Sequence, residues 1–324
     1  QDKKFTGHTG NKYMLQFILR RIVGAIPVLL CVITVTFLLT RMAPGGPFDR
    51  ERVVSEQVLK NLNEVYNLDA PVFIQLRDYL LNLLQGDFGP SFKFPNRTVT
   101  EMIFTGLPVT SELAVYALLV ALCIGVFSGV IAALKKNTVF DYIPMSFSMI
   151  GICMPTFLLG PVLVLIFGIW NTWLPVAGWG EYAGDKILPS VTLGSLYAAY
   201  IARLSRGGML EILSQDFIRT ARAKGIPEAL VVIRHGLKGG LLPVVSFLGP
   251  AIAGLLAGSF VVETIFMIPG LGRFYVQAAF NRDYTLILGI TIFLSTLVIT
   301  FNLIADIVTV WLNPKLRDDM SGVS

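Results

Sequence analysis

Charge is what this sequence holds least of: Asp, Glu, Lys and Arg make up 15% of its 324 residues, against roughly 25% in an ordinary soluble domain. Histidine is nearly absent as well. His8 and His235 are the only two, and neither sits in a His-Glu-x-x-His pattern or a Cys/His cluster, which excludes a zinc hydrolase and leaves no catalytic triad. The three cysteines, Cys31, Cys123 and Cys153, are isolated within apolar runs. They form no disulfide framework or metal spacing and read as small buried apolar residues. There is no Gly-Lys-Ser or Gly-Lys-Thr, hence no Walker A loop; the chain is not expected to be an enzyme or to hydrolyse ATP by itself. Ionisable groups inside the apolar runs are also scarce. Asp306 and Glu263 stand near run ends, whereas an ion-coupled carrier usually has such groups near the bilayer midplane.

What is abundant is apolar: 54% of the residues are hydrophobic and the mean hydropathy is +0.68. A membrane-spanning helix needs about 20 apolar residues. Ile22–Thr40, Leu113–Leu134, Leu241–Val262 and Tyr284–Ala305 are uncharged runs of that kind. Ile143–Ile169 reads as one helix kinked by prolines, and Ile187–Ala202 spans if extended to Leu204. The expected fold class is therefore an all-α integral membrane protein with six transmembrane helices. The full-length first span, with no cleavage site behind it, argues against a removable signal peptide.

Lys and Arg fix the orientation. With both termini cytoplasmic, 16 of the 26 basic residues fall on the inner side, and the short outer loops hold only Lys186, Arg273 and Arg282. The chain then divides into a tail or remnant (1–13), a first span (14–41), an external segment (42–110), a core (111–312) with an inner loop (207–240), and a tail (313–324). In the external segment Val58, Leu62 and Val65, then Ile74, Leu80 and Leu84, suggest two amphipathic helices, followed by the turn-rich Gly86-Asp87-Phe88-Gly89-Pro90. Asn96-Arg97-Thr98 matches a glycosylation sequon, a pattern common by chance. Ala117, Ala121, Gly125, Gly129 and Ala133 recur every four residues, a small-residue ridge for close helix packing within the subunit. A similar ridge, Gly249, Ala253 and Ala257 with Gly254 and Gly258 alongside, either packs or lines a passage.

The inner loop carries five Lys or Arg residues and one Glu between Phe217 and Lys238. Leu210, Leu213, Phe217 and Ala221 are spaced as one apolar helical face, with Ser214 or Asp216 able to start a new turn. Lys224 and Gly225 suit a helix end, and Pro227 and Glu228 the first turn of a second helix. A basic lipid anchor would explain the charge but not the rigid turn.

The run Arg219-Thr220-Ala221-Arg222-Ala223-Lys224-Gly225, with Arg234-His235-Gly236-Leu237-Lys238 after it, resembles the coupling-helix loop of ABC importer permeases of the peptide-transporter branch. FILRRIVGAIPVLLCVITVTFLLTRMAPGGPF, LDAPVFIQLRDYLLNLLQGDFGPSF, VVETIFMIPGLGRF, NRDYTLILG and NPKLRD resemble further stretches of that branch, in the same order and from Met14 onward. Arg219-Thr220-Ala221 stands where the general motif has Glu-Ala-Ala, and Gly239, where a Pro or polar residue is expected, suggests a looser helix.

The resemblance implies a type I ABC importer permease fold in a bacterial inner membrane. It implies partnership with a second homologous permease subunit, two cytoplasmic ATPase subunits that bind ATP and Mg, and an extracytoplasmic peptide-binding protein. The chain itself holds no cofactor or metal, and binds membrane lipid but no nucleic acid. Phe217, Arg219, Thr220, Ala221, Arg222, Ala223, Lys224, Gly225, Ile226 and Pro227 would couple to an ATPase. Gly254, Gly258, Val262 and Glu263 would line or gate the passage, Glu263 alternatively pairing with Arg273 or Arg282. Asp306 would pair or cap locally, and Gly86, Asp87, Phe88, Gly89 and Pro90 would receive the binding protein. Oligopeptide is the expected cargo, with dipeptide, cationic peptide, glutathione or nickel complexes as alternatives. A self-energised secondary transporter is the reading from another class.

Overall fold

The computed structural model describes residues 6–42, 70–94 and 97–312. The first amphipathic helix of the external segment, the Asn96 sequon and the 313–324 tail lie outside the described residues. Among the described residues helices carry the fold, and the one β-bridge joins Pro90 and Thr98. The order is α1 (Thr6–Met42), α2 (Val72–Leu84), α3 (Val99–Leu134), α4 (Val139–Cys153), α5 (Thr156–Leu163) with a π-helical extension (Val164–Trp170), and α6 (Ile187–Leu213). Then come α7 (Asp216–Ala223), α8 (Glu228–Val231), a π-helical stretch (Val232–Gly236), α9 (Leu237–Gly240), α10 (Leu242–Ala257), α11 (Phe260–Ile265), α12 (Leu271–Asn281) and α13 (Tyr284–Leu312).

Five segments are long and apolar enough to cross a membrane: Ile18–Met42, Val99–Leu134, Ile187–Leu213, Leu242–Ile265 and Tyr284–Thr309. The pair α4–α5 makes a sixth when its two halves count as one span, and it is bent by 112°. The sequence suggested a kinked helix here, and the break falls at Met154–Pro155. Met154 N–H closes the last turn on Ile150 O at 2.8 Å, and Pro155 brings no N–H to continue it.

Hydropathy and burial trade places among the spans. The most apolar window of α1 averages 2.7 and is 11% buried, whereas that of α6 averages 1.2 and is 56% buried. A helix enclosed by protein has less need of an apolar surface than one facing lipid. This is why α6 looked short on sequence while it stands at the centre of the molecule.

α3 starts fourteen residues before its uncharged run, inside the stretch read as external. Thr98 and Glu101 form a capping box there, each side chain meeting the other's backbone N–H at 3.2 Å, which satisfies two of the helix's free donors. α3 then packs along α6 by its ridge of small residues. Ala117, Ala121, Gly125, Gly129 and Ala133 are all buried. A Cβ on Gly125 would lie 2.7 Å from Ala198 O and Ile201 Cβ, and one on Gly129 would strike Ala202 O. The expected ridge therefore packs within the subunit. The second ridge packs too, in part: Gly249 sits against Ala305 and Phe301 of α13.

Two ion pairs brace the helix ends. The Arg206 guanidinium of α6 donates twice to Asp141 at the start of α4, at 2.6 and 2.8 Å, a fork geometry that favours charge-assisted bonds. Arg21 of α1 pairs with Asp306 of α13 at 3.0 Å, so that aspartate pairs across two spans and not locally. The cysteines depart from expectation: Cys31, Cys123 and Cys153 are all exposed, because they lie on outward faces of their helices and not at helix contacts.

Candidate functional site

The helix-turn after α6 is built from local chemistry. Ser214 and Gln215 interrupt the chain, so α7 begins with a new phase and its buried residues are Ile218 and Ala221. The single apolar face drawn through Leu210, Leu213, Phe217 and Ala221 is corrected here. Phe217 is 50% exposed, and Ile218, fully buried, takes its place against Ile212, Leu213, Ile226 and Val231. α7 ends as its sequence indicated. Gly225 has φ +73°, its N–H donates to Arg222 O at 2.9 Å, and Ile226 N–H reaches back to Ala221 O at 3.4 Å. That pair of bonds, with Ile226 packed near Ala221, is a Schellman ending that only glycine makes without strain. Pro227 is the cap of α8, one position earlier than expected, and Glu228 opens the helix.

Across the turn Arg222 Nε and Nη2 donate to the two oxygens of Glu228 at 3.0 and 2.6 Å. These hydrogen bonds hold the Glu228 carboxyl below the usual carboxylate range and raise Arg222. A depressed carboxyl stabilises the fold fully above its unfolded pKa, and that contribution disappears as pH falls through the folded pKa. Glu228→Gln should therefore lower thermal stability relative to the parent at pH 7, and the two proteins should converge once the pH has fallen through the depressed folded pKa of Glu228; a gap that persists in stronger acid would contradict the clamp. Arg219 pairs with Asp216 at 3.2 Å. Phe217, Thr220, Ala223 and Lys224 are exposed and form the outer surface of the turn.

The return to the membrane is tight. α9 lies on α6, where Gly208 abuts Gly240 O and a Cβ on Gly239 would lie 2.8 Å from Ile212. The looseness expected at Gly239 is thus not seen: the small residue lets two helices touch.

Glu263, in α11, is fully buried. Its Oε1 accepts from Thr110 Oγ1 at 2.8 Å and Ser259 Oγ at 2.7 Å, and its Oε2 from the backbone N–H of Gly272 at 2.7 Å and Arg273 at 3.1 Å. The pairing with an Arg273 or Arg282 side chain does not occur, since the Arg273 guanidinium donates to Met267 O at 3.1 Å. The carboxylate instead meets the positive end of α12, and Thr110 Oγ1 accepts from Leu271 N–H at 2.9 Å. A side chain on Gly270 would collide with Glu263 and Thr110. Val262 is likewise buried, Gly254 abuts the Tyr197 hydroxyl, and Gly258 is exposed.

A second buried carboxylate, Asp283, was not singled out on sequence. It opens α13, where its Oδ1 accepts from Leu286 N–H at 3.2 Å and Thr285 Oγ1 at 3.0 Å. It also takes Ser91 Oγ and the N–H groups of Phe92 at 3.2 Å and Lys93 at 3.3 Å. The turn before Ser91 is therefore fixed to α13. Gly86 and Gly89 have φ of +77° and +85°, Asp87 accepts from Gly89 N–H at 2.8 Å, and Thr285 Oγ1 donates to Pro90 O at 2.7 Å. Gly86, Asp87 and Pro90 are exposed, while Phe88 packs toward Val99 and Met102. The only signal for Asp283 was its place just before an apolar run, where Asp suits an N-cap. Among the described residues no group of His, Cys, Asp and Glu is arranged to hold a metal.

Known proteins share this architecture. Residues 124–318 match the family model described as binding-protein-dependent transport system inner membrane component, and residues 14–114 match the model of the corresponding N-terminal region. The chain is 48% identical over 305 residues to the oligopeptide transport system permease protein OppB of Salmonella typhimurium, covering 94% of this chain and 100% of that one. It is 38% identical over 309 residues to the dipeptide transport system permease protein DppB of Bacillus subtilis, covering 95% and 100%. Among solved structures, an inward-facing MetNI methionine ABC transporter chain matches with TM-score 0.52 and 18% identity, over 65% of this chain and 96% of that one. An amino acid ABC transporter chain matches with TM-score 0.51 and 17% identity, over 65% and 94%; at these identities both show the fold alone. The chain belongs to the family of binding-protein-dependent transport system inner membrane components.

Proposed function

We infer that this chain is the membrane-spanning permease subunit of an ATP-driven peptide importer in a bacterial inner membrane, forming half of the passage for oligopeptides. The observation that carries the reading is the clamped helix-turn α7–α8. It stands between two spans, is rigid by its own bonds and leaves Phe217, Thr220, Ala223 and Lys224 open to a partner. Having no nucleotide-binding motif, the chain depends on two cytoplasmic ATPase subunits, and these receive Phe217–Pro227. ATP and Mg are held by those subunits. Both termini are cytoplasmic, a second homologous permease completes the passage, and an extracytoplasmic binding protein delivers the cargo to the side bearing Gly86–Pro90.

Within the passage Gly254 and Gly258 contribute small surfaces. Glu263 acts from behind, holding the start of α12, and Val262 is packed in the core with Phe266 and Ile268. The test is purification of the tagged chain from its native membrane with Phe217→Asp and Ala223→Asp, which alter only exposed positions. The parent should bring down a second permease and two Walker-motif ATPases; the variants should keep the permease and lose the ATPases. Recovery of the parent chain alone, or with copies of itself, would refute the importer reading.

A further inference from the structure

A cavity of about 380 Å³ opens where the end of α1, helix α2, the Gly86–Phe92 turn and the start of α13 meet. Phe37, Phe88 and Tyr284 give it aromatic walls, and Arg41, Tyr79 and Asn82 give it polar ones. The guanidinium carbon of Arg41 lies 5.3 Å from the centre of the Phe37 ring, and the Phe37 and Tyr79 rings are 6.3 Å apart. Among the described residues two donors there lack an acceptor: Arg41 Nε and the Tyr79 hydroxyl are buried with no hydrogen-bond partner in that set. Such groups are costly and rare unless something is meant to satisfy them.

The carboxylates among the described residues nearby are already engaged. Asp78 takes Arg77 Nε and Nη2 at 3.0 and 2.8 Å, Asp87 takes Gly89 N–H, and Asp283 takes Ser91 and its neighbours. Burial, with the charge of Asp87 adding to it, raises the Tyr79 phenol well above its ordinary value, so it remains a neutral donor. The cavity thus offers one guanidinium and one hydroxyl to a planar anion that accepts hydrogen bonds.

We propose that this cavity receives an acidic side chain of the extracytoplasmic binding protein, with Arg41 as counter-charge and Tyr79 as second donor. The inference rests on the importer reading above. Several observations favour a docked side chain over passing cargo. The cavity is small, its edge includes the exposed Pro90 beside Gly89, and its walls include none of the small residues of α10. The Asp283 and Thr285 bonds join that rim to α13, so a docked carboxylate would touch two spans at once.

The experiment uses the assembled transporter in lipid nanodiscs, with the binding protein flowed over it in a surface plasmon resonance measurement. Arg41→Gln should weaken association roughly 10- to 100-fold, the range of a lost hydrogen bond to a charged group. Arg41→Lys should weaken it less, and Tyr79→Phe should produce a measurable loss while basal ATP hydrolysis persists. Tri-alanine with a free carboxylate should not compete. If the parent binds and every variant binds equally well, the proposal fails while the importer reading stands. If tri-alanine competes in the parent but not in Arg41→Gln, the cavity is a cargo site and the proposal also fails. If the parent transporter binds no such protein at all, the importer reading itself is lost. Should Arg41→Gln not assemble, the Lys and Phe variants decide the matter, since each retains most of the local packing.

Discussion

Glu263→Ala is expected to cost about 3 kcal/mol or more of stability, enough to remove most assembled protein, because it leaves buried backbone donors with no acceptor. Among the described residues the Gly272 and Arg273 N–H groups have no other acceptor. The Ser259 hydroxyl has an alternative in Leu256 O at 3.2 Å, so it contributes less to the loss. Glu263→Gln should be markedly milder. Its carbonyl oxygen can accept from both N–H groups, and its NH2 can turn toward the Thr110 and Ser259 oxygens. Thermal denaturation of the purified complexes, read beside expression in the membrane, separates the two variants. Equal behaviour of Ala and Gln would mean that the carboxyl site is not the joint described here, and an unaltered Ala variant would exclude it outright.

Gly208→Val is the second substitution with a large expected effect. The contact of Gly208 with Gly240 O is backbone against backbone, so no rotamer change relieves an added side chain. Crowding a packed contact usually costs about 1–3 kcal/mol, and more where the obstacle is main chain. α9 would have to lift from α6, and with it the near end of the helix-turn. The expected result is a complex that retains its partner permease but shows transport and ATP hydrolysis no longer linked. Normal transport by Gly208→Val would show that this contact does not carry motion between the turn and the spans.

What was legible in the sequence was what short-range chemistry decides. Lys224, Gly225 and Pro227 announced the turn because a Schellman ending needs only consecutive residues, and the ridge in α3 was visible because its period is that of a helix. The phase of α7 was misread at Phe217, since two polar residues, Ser214 and Gln215, reset the helix without any break in the apolar spacing. Glu263 was noticed, but its partners were not. Thr110 is 153 positions away, and no pattern along the chain ties a hydroxyl in one span to a carboxylate in another. Asp283 was missed for the same reason, its partner Ser91 being 192 positions distant. The burial of α6 was hidden by its modest hydropathy, which follows from enclosure by protein.

The pairing of α1 with α13 bears on how the chain is made. α1 leaves the ribosome well before α13, the helix that supplies its Arg21–Asp306 pair. At about 5–20 residues per second of synthesis, the delay is on the order of tens of seconds. Through that interval the first helix must reside in lipid without this partner span, and a mean hydropathy of 2.7 over its most apolar window lets it do so. The arrival of α13 is then the moment at which α1 gains its partner span, so a ribosome stalled before residue 284 would leave α1 inserted but unpaired.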